Sequence, residues 1–256
     1  MSENRSFRGS FSRLVLEGVA IVASILFAFA IDAWWDGHQE RQEEERLLTA
    51  LLDEFRENKE LLEEARIHHR AVEQAELELM ALAAGSSPEI SPDSLDQLIG
   101  EMLWWWSGTR FSVGALNSVV LGGKLHLILN EELRRELAGW QGEIDNVHFN
   151  ELQDYTTVHE DFIPHLRANA YLAQISSKTT HRPGSTDPIP NLAVPLRPEE
   201  TDHRRMLQDP VFQNLLVQRW WNQWDALTVY EEFEQRIGEV IAQLEMELGL
   251  SVQGTS

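Results

Sequence analysis

The chain has 256 residues, no cysteine, and 42 acidic against 21 basic side chains, for a formal net charge of −21. A pI near 4.7 excludes nucleic acid as a partner, whose phosphates would be repelled, and excludes adhesion of the bulk of the chain to anionic headgroups. Without cysteine there is no disulfide framework, no thiolate metal site and no cysteine nucleophile.

The first element is an apolar stretch, Leu14 to Trp35, flanked by Arg5, Arg8 and Arg13 on one side and by Asp36, Glu40, Glu43, Glu44 and Glu45 on the other. A hydrocarbon core about 30 Å thick needs roughly 20 mostly apolar helical residues, so residues 14–35 are expected to be a transmembrane helix, with Trp34 and Trp35 at its interfacial edge. Positive residues stay on the cytoplasmic side. Residues 1–13 are therefore expected in the cytoplasm and residues 36–256 in the periplasm of a bacterium, the inner membrane lying between them. The competing expectation is a cleaved signal peptide, because Ala28-Phe29-Ala30 has the small-x-small form of a cleavage site.

From His38 to Ala84 there is neither proline nor glycine. Leu48, Leu51, Phe55, Leu62, Ala65, Val72 and Leu79 recur at helical spacing, so the transmembrane helix is expected to continue past Gly37 and project about 70 Å from the bilayer. Gly85-Ser86-Ser87-Pro88 should end it. Ser91-Pro92 opens a short helix to about Trp106, and Ser112 to Leu121 reads as another, broken by Gly122-Gly123. Asn130 caps a long segment striped by Leu133, Leu137, Trp140, Ile144, Val147, Leu152, Tyr155 and Phe162, which Pro164 should kink or end. Residues 177–200 form a proline-rich loop. Asp209-Pro210 opens the last helix, striped by Phe212, Leu216, Trp220, Trp224, Leu227, Tyr230, Phe233, Ile237, Val240, Leu244 and Leu248. Without strand signals, the fold class is all-α, an N-terminal transmembrane helix continuing into a long antiparallel helical bundle.

Several runs carry a resemblance. Leu16-Glu17-Gly18, Ile21 through Leu26 and Ile31-Asp32-Ala33-Trp34 resemble the N-terminal anchor of a bacterial family of uncharacterised single-pass membrane proteins, a domain of unknown function. Gly123-Lys124-Leu125 through Ile128, Asn130, Glu132-Leu133 and Leu137 are similar to its second signature. Asp32-Ala33 and Gly122-Gly123 depart from the paired asparagines and Ser-Gly of many members. The resemblance implies an anchored helical protein and brings no activity.

No catalytic motif is present. Gly122-Gly123-Lys124 lacks the glycine and the following Ser or Thr of a phosphate loop, and no motif calls for a cofactor. His148, Glu151, Tyr155 and His159 fall on one helix face, a weak candidate for metal ligation that would need co-ligands from a second helix; a solvated face is the simpler expectation. His68-His69 and Asp202-His203 are the other places with histidine beside co-ligands. Trp104, Trp105, Trp106, Trp220, Trp221 and Trp224 cannot all face one core at about 100° per residue, so they are expected to divide between the core and contact with another subunit, the alternatives being an aromatic ligand pocket and contact with a partner protein. In the span, Glu17, Ala20, Ser24, Ala28 and Asp32 share an arc of about 120°, a small-and-polar face suited to helix association in lipid.

The leading functional expectation is a non-enzymatic single-pass inner-membrane protein that self-associates and presents a periplasmic helical bundle as a scaffold or envelope organiser, in contact with lipid and with an envelope protein as a further partner. The alternatives are a periplasmic sensor or ligand-binding module with a tryptophan-rich pocket, and an oligomeric channel or channel accessory.

Overall fold

The computed structural model describes residues 4–86, 90–104, 108–179 and 201–250, with side chains from Ile21 onward. Among the described residues every regular element is a helix, with no strand. Most of the expected proline-rich loop, from residue 180 to 200, lies outside them, as do Trp105 and Trp106.

One helix dominates. α1 (Asn4–Ala83) runs 80 residues without interruption, about 120 Å at 1.5 Å per residue, and Gly37 does not break it. It stops where Gly85 takes φ +68. Gly85 N then donates to Leu82 O and Ser86 N to Ala81 O, which satisfies the last carbonyls in a Schellman arrangement. The other long elements are α4 (Glu131–Thr156) and α8 (Pro210–Glu247). Asn130 caps α4 by accepting from Glu132 N and Leu133 N, and Asp209 caps α8 by accepting from Val211 N.

Cross-helix ion pairs fix the directions. Arg56 meets Glu245, Arg66 meets Glu234 and Arg70 meets Glu231, so numbers rise on α1 as they fall on α8. Gln243 meets Glu136 and Arg236 meets Glu143, so α4 also runs against α8. The result is a three-helix bundle to which short helices are added: α2 (Pro92–Met102), α3 (Gly114–Val120), α5 (Ile163–Asn169), α6 (Leu172–Lys178) and α7 (His203–Leu207).

Three local expectations change. α2 ends at Met102 rather than near Trp106. Pro164 does not end the long segment; a π-helical stretch, Thr157–Phe162, leads into α5. Widening the turn there accommodates the missing N–H and the ring that would otherwise meet the carbonyl one turn back. α3 begins at Gly114 rather than Ser112, has no side-chain cap from Val113 and takes one from α1 instead. The buried Glu54 carboxylate accepts from Ala115 N at 2.7 Å and Leu116 N at 2.9 Å, where a helix dipole favours negative charge. Asn58 pairs with the backbone of Ser112 in both directions. Glu54→Ala should therefore destabilise the bundle by about 1–2 kcal/mol, the size of a lost N-cap, read as a lower denaturant midpoint with an unchanged slope.

Two apolar cores result. The first joins Leu48, Leu51, Phe55 and Leu62 to Leu133, Trp140 and Ile144 and to Phe233, Ile237 and Leu244. The second joins Leu79 to Ile99, Phe162, Leu166, Ile175, Phe212 and Leu216. Residues 21–35 belong to neither. Their helix is exposed on every side, with large apolar side chains from Ile21 to Trp35 between 49% and 69% exposed. Among the described residues, whose side chains begin at Ile21, no helix is long and apolar enough to cross a membrane; the side chains of the first third of the expected span lie outside them.

Candidate functional site

Between the two apolar cores the bundle is polar. At this level α1 contributes His69 and Glu76, α4 contributes Glu151 and Asp154, and α8 contributes Arg219, Gln223 and Tyr230, all buried. Each sits on the inward stripe of its helix: Glu76 between Val72 and Leu79, Arg219 and Gln223 between Leu216 and Ala226. The expected stripes are corrected here. Leu152 and Tyr155 on α4 are 57% and 41% exposed, and Trp224 on α8 is 47% exposed. The apolar letters at this level lie on the outside, and the core positions one residue away are polar or, at Ala226, small.

Arg219 is the hub. Its Nε donates to Asp154 Oδ1 at 2.9 Å, one terminal nitrogen donates to the Trp104 carbonyl at 2.5 Å and to Asp154 Oδ2 at 3.3 Å, and the other reaches Met102 Sδ at 3.4 Å. Glu76 Oε1 lies 3.3 Å from the same Nε, but without hydrogen-bond geometry, and neither Glu76 oxygen has a hydrogen-bond partner. One guanidinium thus faces two carboxyl groups in a dry interior. Burial pushes the Glu76 carboxyl well above its usual range, against the pull of Arg219, and the Asp154 charge adds to the push. The folded state therefore favours the protonated form of Glu76, since a low-dielectric interior penalises its charge.

Gln223 links this trio to a second set. Its Nε2 donates to Asp154 Oδ1 at 2.7 Å while its Oε1 accepts from His69 Nδ1 at 2.6 Å. The reversed amide would set oxygen against carboxylate, so the chain fixes the proton of His69 on Nδ1. Burial lowers the His69 pKa below its ordinary value, with Asp154 opposing, and its ring meets Tyr230 edge-on at 5.2 Å. Tyr230 donates to Glu151 Oε1 at 2.8 Å; burial first, then the Glu151 charge, raises the phenol well above its ordinary pKa. Thr109 completes the set, its N–H and hydroxyl both donating to Glu151. Gly108, at φ +95, turns the chain so that Thr109 can do this.

A cleft of about 720 Å³ opens beside Glu151, bounded by Thr109, Arg110, Phe111, His148, Leu152 and Tyr155. Phe111 and His148 stack at 5.9 Å, and His148 Nε2 bonds the Thr109 carbonyl at 2.8 Å.

Of the metal candidates, His148 and Glu151 meet at Thr109, whereas His159 stacks on Tyr155 and bonds its carbonyl through Nδ1. Among the described residues no three His, Cys, Asp or Glu side chains are grouped to hold a metal ion. His203 is tied to Asp96, which also accepts from Gln174. Trp104 serves the site through its carbonyl. Trp220 is half-buried with an unpartnered Nε1, and Trp221 and Trp224 are exposed, the rings of 220, 221 and 224 touching in sequence at 4.9 and 5.7 Å. The described tryptophans line no part of the cleft beside Glu151; Trp104 borders a smaller one of about 340 Å³ with Leu103 and Ile175. Ser24, Ala28 and Asp32 are exposed, and the side chains of Glu17 and Ala20 lie outside the described residues. Lys124 pairs with Glu43 at 2.7 Å and holds the glycine turn against α1; that bond lowers the Glu43 pKa.

Comparison with family models, with curated proteins and with solved structures finds no match for the chain.

Proposed function

We propose that the protein is a membrane-tethered helical bundle, non-enzymatic, whose first helix is both anchor and bundle strut and which self-associates to act as a scaffold. One observation carries this. From Ile21 to Trp35 the helix exposes large apolar side chains on every side and belongs to neither core, and the packed core begins only at Leu48. A helix that exposes large apolar side chains on every side needs an apolar surrounding. Lipid supplies it, and residues 14–20 complete the length. The arginines before the span and the acids after it support an N-terminus in the cytoplasm and a bundle in the periplasm. Because α1 is unbroken through Gly37, the bundle stands on the bilayer as a rigid extension of the anchor.

Expressed in bacteria, the full chain should float with lipid vesicles after alkaline carbonate washing, and a periplasm-active reporter after Ser256 should be active. Crosslinking in those membranes should give oligomers that Ser24→Leu with Ala28→Leu weakens while insertion persists, since small residues permit close helix approach in lipid. Release by carbonate would overturn the tether, and oligomers untouched by the paired change would move association to the bundle.

A further inference from the structure

The cleft beside Glu151 joins an aromatic wall to an uncommitted cation. We propose that it is a binding site for a small planar aromatic anion, an aryl carboxylate being the simplest member. Its size, about 720 Å³, falls within the range of small-molecule sites. Phe111, stacked on His148, and the exposed side chain of Leu152 offer apolar surface, and the exposed Tyr155 ring, one face covered by His159, borders the same cleft. None of the exposed pair is needed by either core.

The charge of the ligand follows from what is already engaged. Glu151 directs its carboxylate inward at Thr109 and Tyr230, so its oxygens are taken by donors within the protein and it offers the cleft no free acceptor. Arg110 is exposed, borders the cleft, and has no ion pair or hydrogen bond among the described residues. A free guanidinium beside an apolar wall, in a chain of net charge −21, suits a ligand with one carboxylate and an apolar body. The ligand is a solute rather than a bilayer lipid. Asn58, bonded to Ser112, places the cleft at a level 23 residues beyond Trp35 along α1, about 35 Å at helical rise. The site therefore stands whether or not the first helix lies in a bilayer.

The test is equilibrium dialysis of 2-naphthoate against the full chain in lipid nanodiscs, with empty nanodiscs as blank and naphthoate fluorescence read on both sides. One saturable site per chain is expected. The uncharged 2-naphthalenemethanol should bind about tenfold more weakly, the worth of one charged hydrogen bond. Arg110→Gln should weaken naphthoate about tenfold and leave the alcohol unchanged. Leu152→Asp should remove saturable binding of both. Both side chains are exposed, and unchanged thermal melting would show that each variant is folded. No saturable binding above the blank overturns the site, as does binding that neither variant alters, which would place the probe elsewhere on the surface. Loss with Leu152→Asp alone overturns the assignment of an anion. Insertion is read separately by flotation, so failure of the tether and failure of the site are distinguishable.

Discussion

Arg219→Met should destabilise the bundle by about 3–5 kcal/mol, because it leaves the buried Asp154 carboxylate without its counter-charge and the Trp104 carbonyl without its donor. Urea unfolding followed by circular dichroism measures this. The pair of variants that identifies the cause is Arg219→Met alone and Arg219→Met combined with Asp154→Leu and Glu76→Leu. Removing all three charge-bearing groups takes away the desolvation cost as well as the attraction, so the triple variant should recover most of the loss or exceed the parent protein. A triple variant as unstable as Arg219→Met would mean that packing around the guanidinium, and not the orphaned carboxylate, dominates. The layer is expected to serve register rather than net stability: a one-turn slip of α8 against α1 and α4 would separate Arg219 and Gln223 from Asp154 and bury each uncompensated.

Raising the pH should weaken the bundle, and Glu76→Gln should remove much of that dependence. The folded pKa of Glu76 is raised well above the ordinary 4.5 by burial. The folded state then holds a proton that the unfolded chain releases. The stability this contributes is full below the unfolded pKa and is lost as pH rises towards the folded one. His69 has the opposite sign. Its folded pKa is lowered from 6.5, so its contribution is present above that value and is lost as pH falls through it. Thermal melting from pH 5 to 9 should therefore show a decline on the alkaline side for the parent protein. Glutamine resembles the protonated acid in shape and carries no charge, so Glu76→Gln should be flatter and at least as stable at pH 8. A variant whose alkaline slope equals the parent's would assign that slope to other groups.

The all-helical class, the unbroken α1, the stop at Gly85 and the starts at Ser91, Asn130 and Asp209 all follow from the sequence by itself. Each is decided by residues within a few positions: a side-chain oxygen three residues ahead of an N–H, a glycine free to take positive φ, or an apolar residue every third or fourth place. The α1 stripe from Leu48 to Leu79 is buried as its spacing predicts. Tertiary structure decided what periodicity misread. Apolar letters mark the inward face only where the interior is apolar, and between the two cores it is not. There Leu152, Tyr155 and Trp224 complete a plausible stripe on the outside, while Glu151, Asp154, Arg219 and Gln223 occupy the inside because partners on other helices neutralise them. A signal was present: Glu76 falls on the α1 stripe between Val72 and Leu79, and Arg219 falls one turn after Leu216. One charged residue on an apolar stripe does not name its partner, however. Asp154 lies 65 residues from Arg219, as Glu54 lies 61 from the α3 amide it caps, and no local pattern joins positions that far apart. Their pairing is set by the packing of three helices, which is why the polar layer and the cleft beside it belong to the fold and not to any one segment.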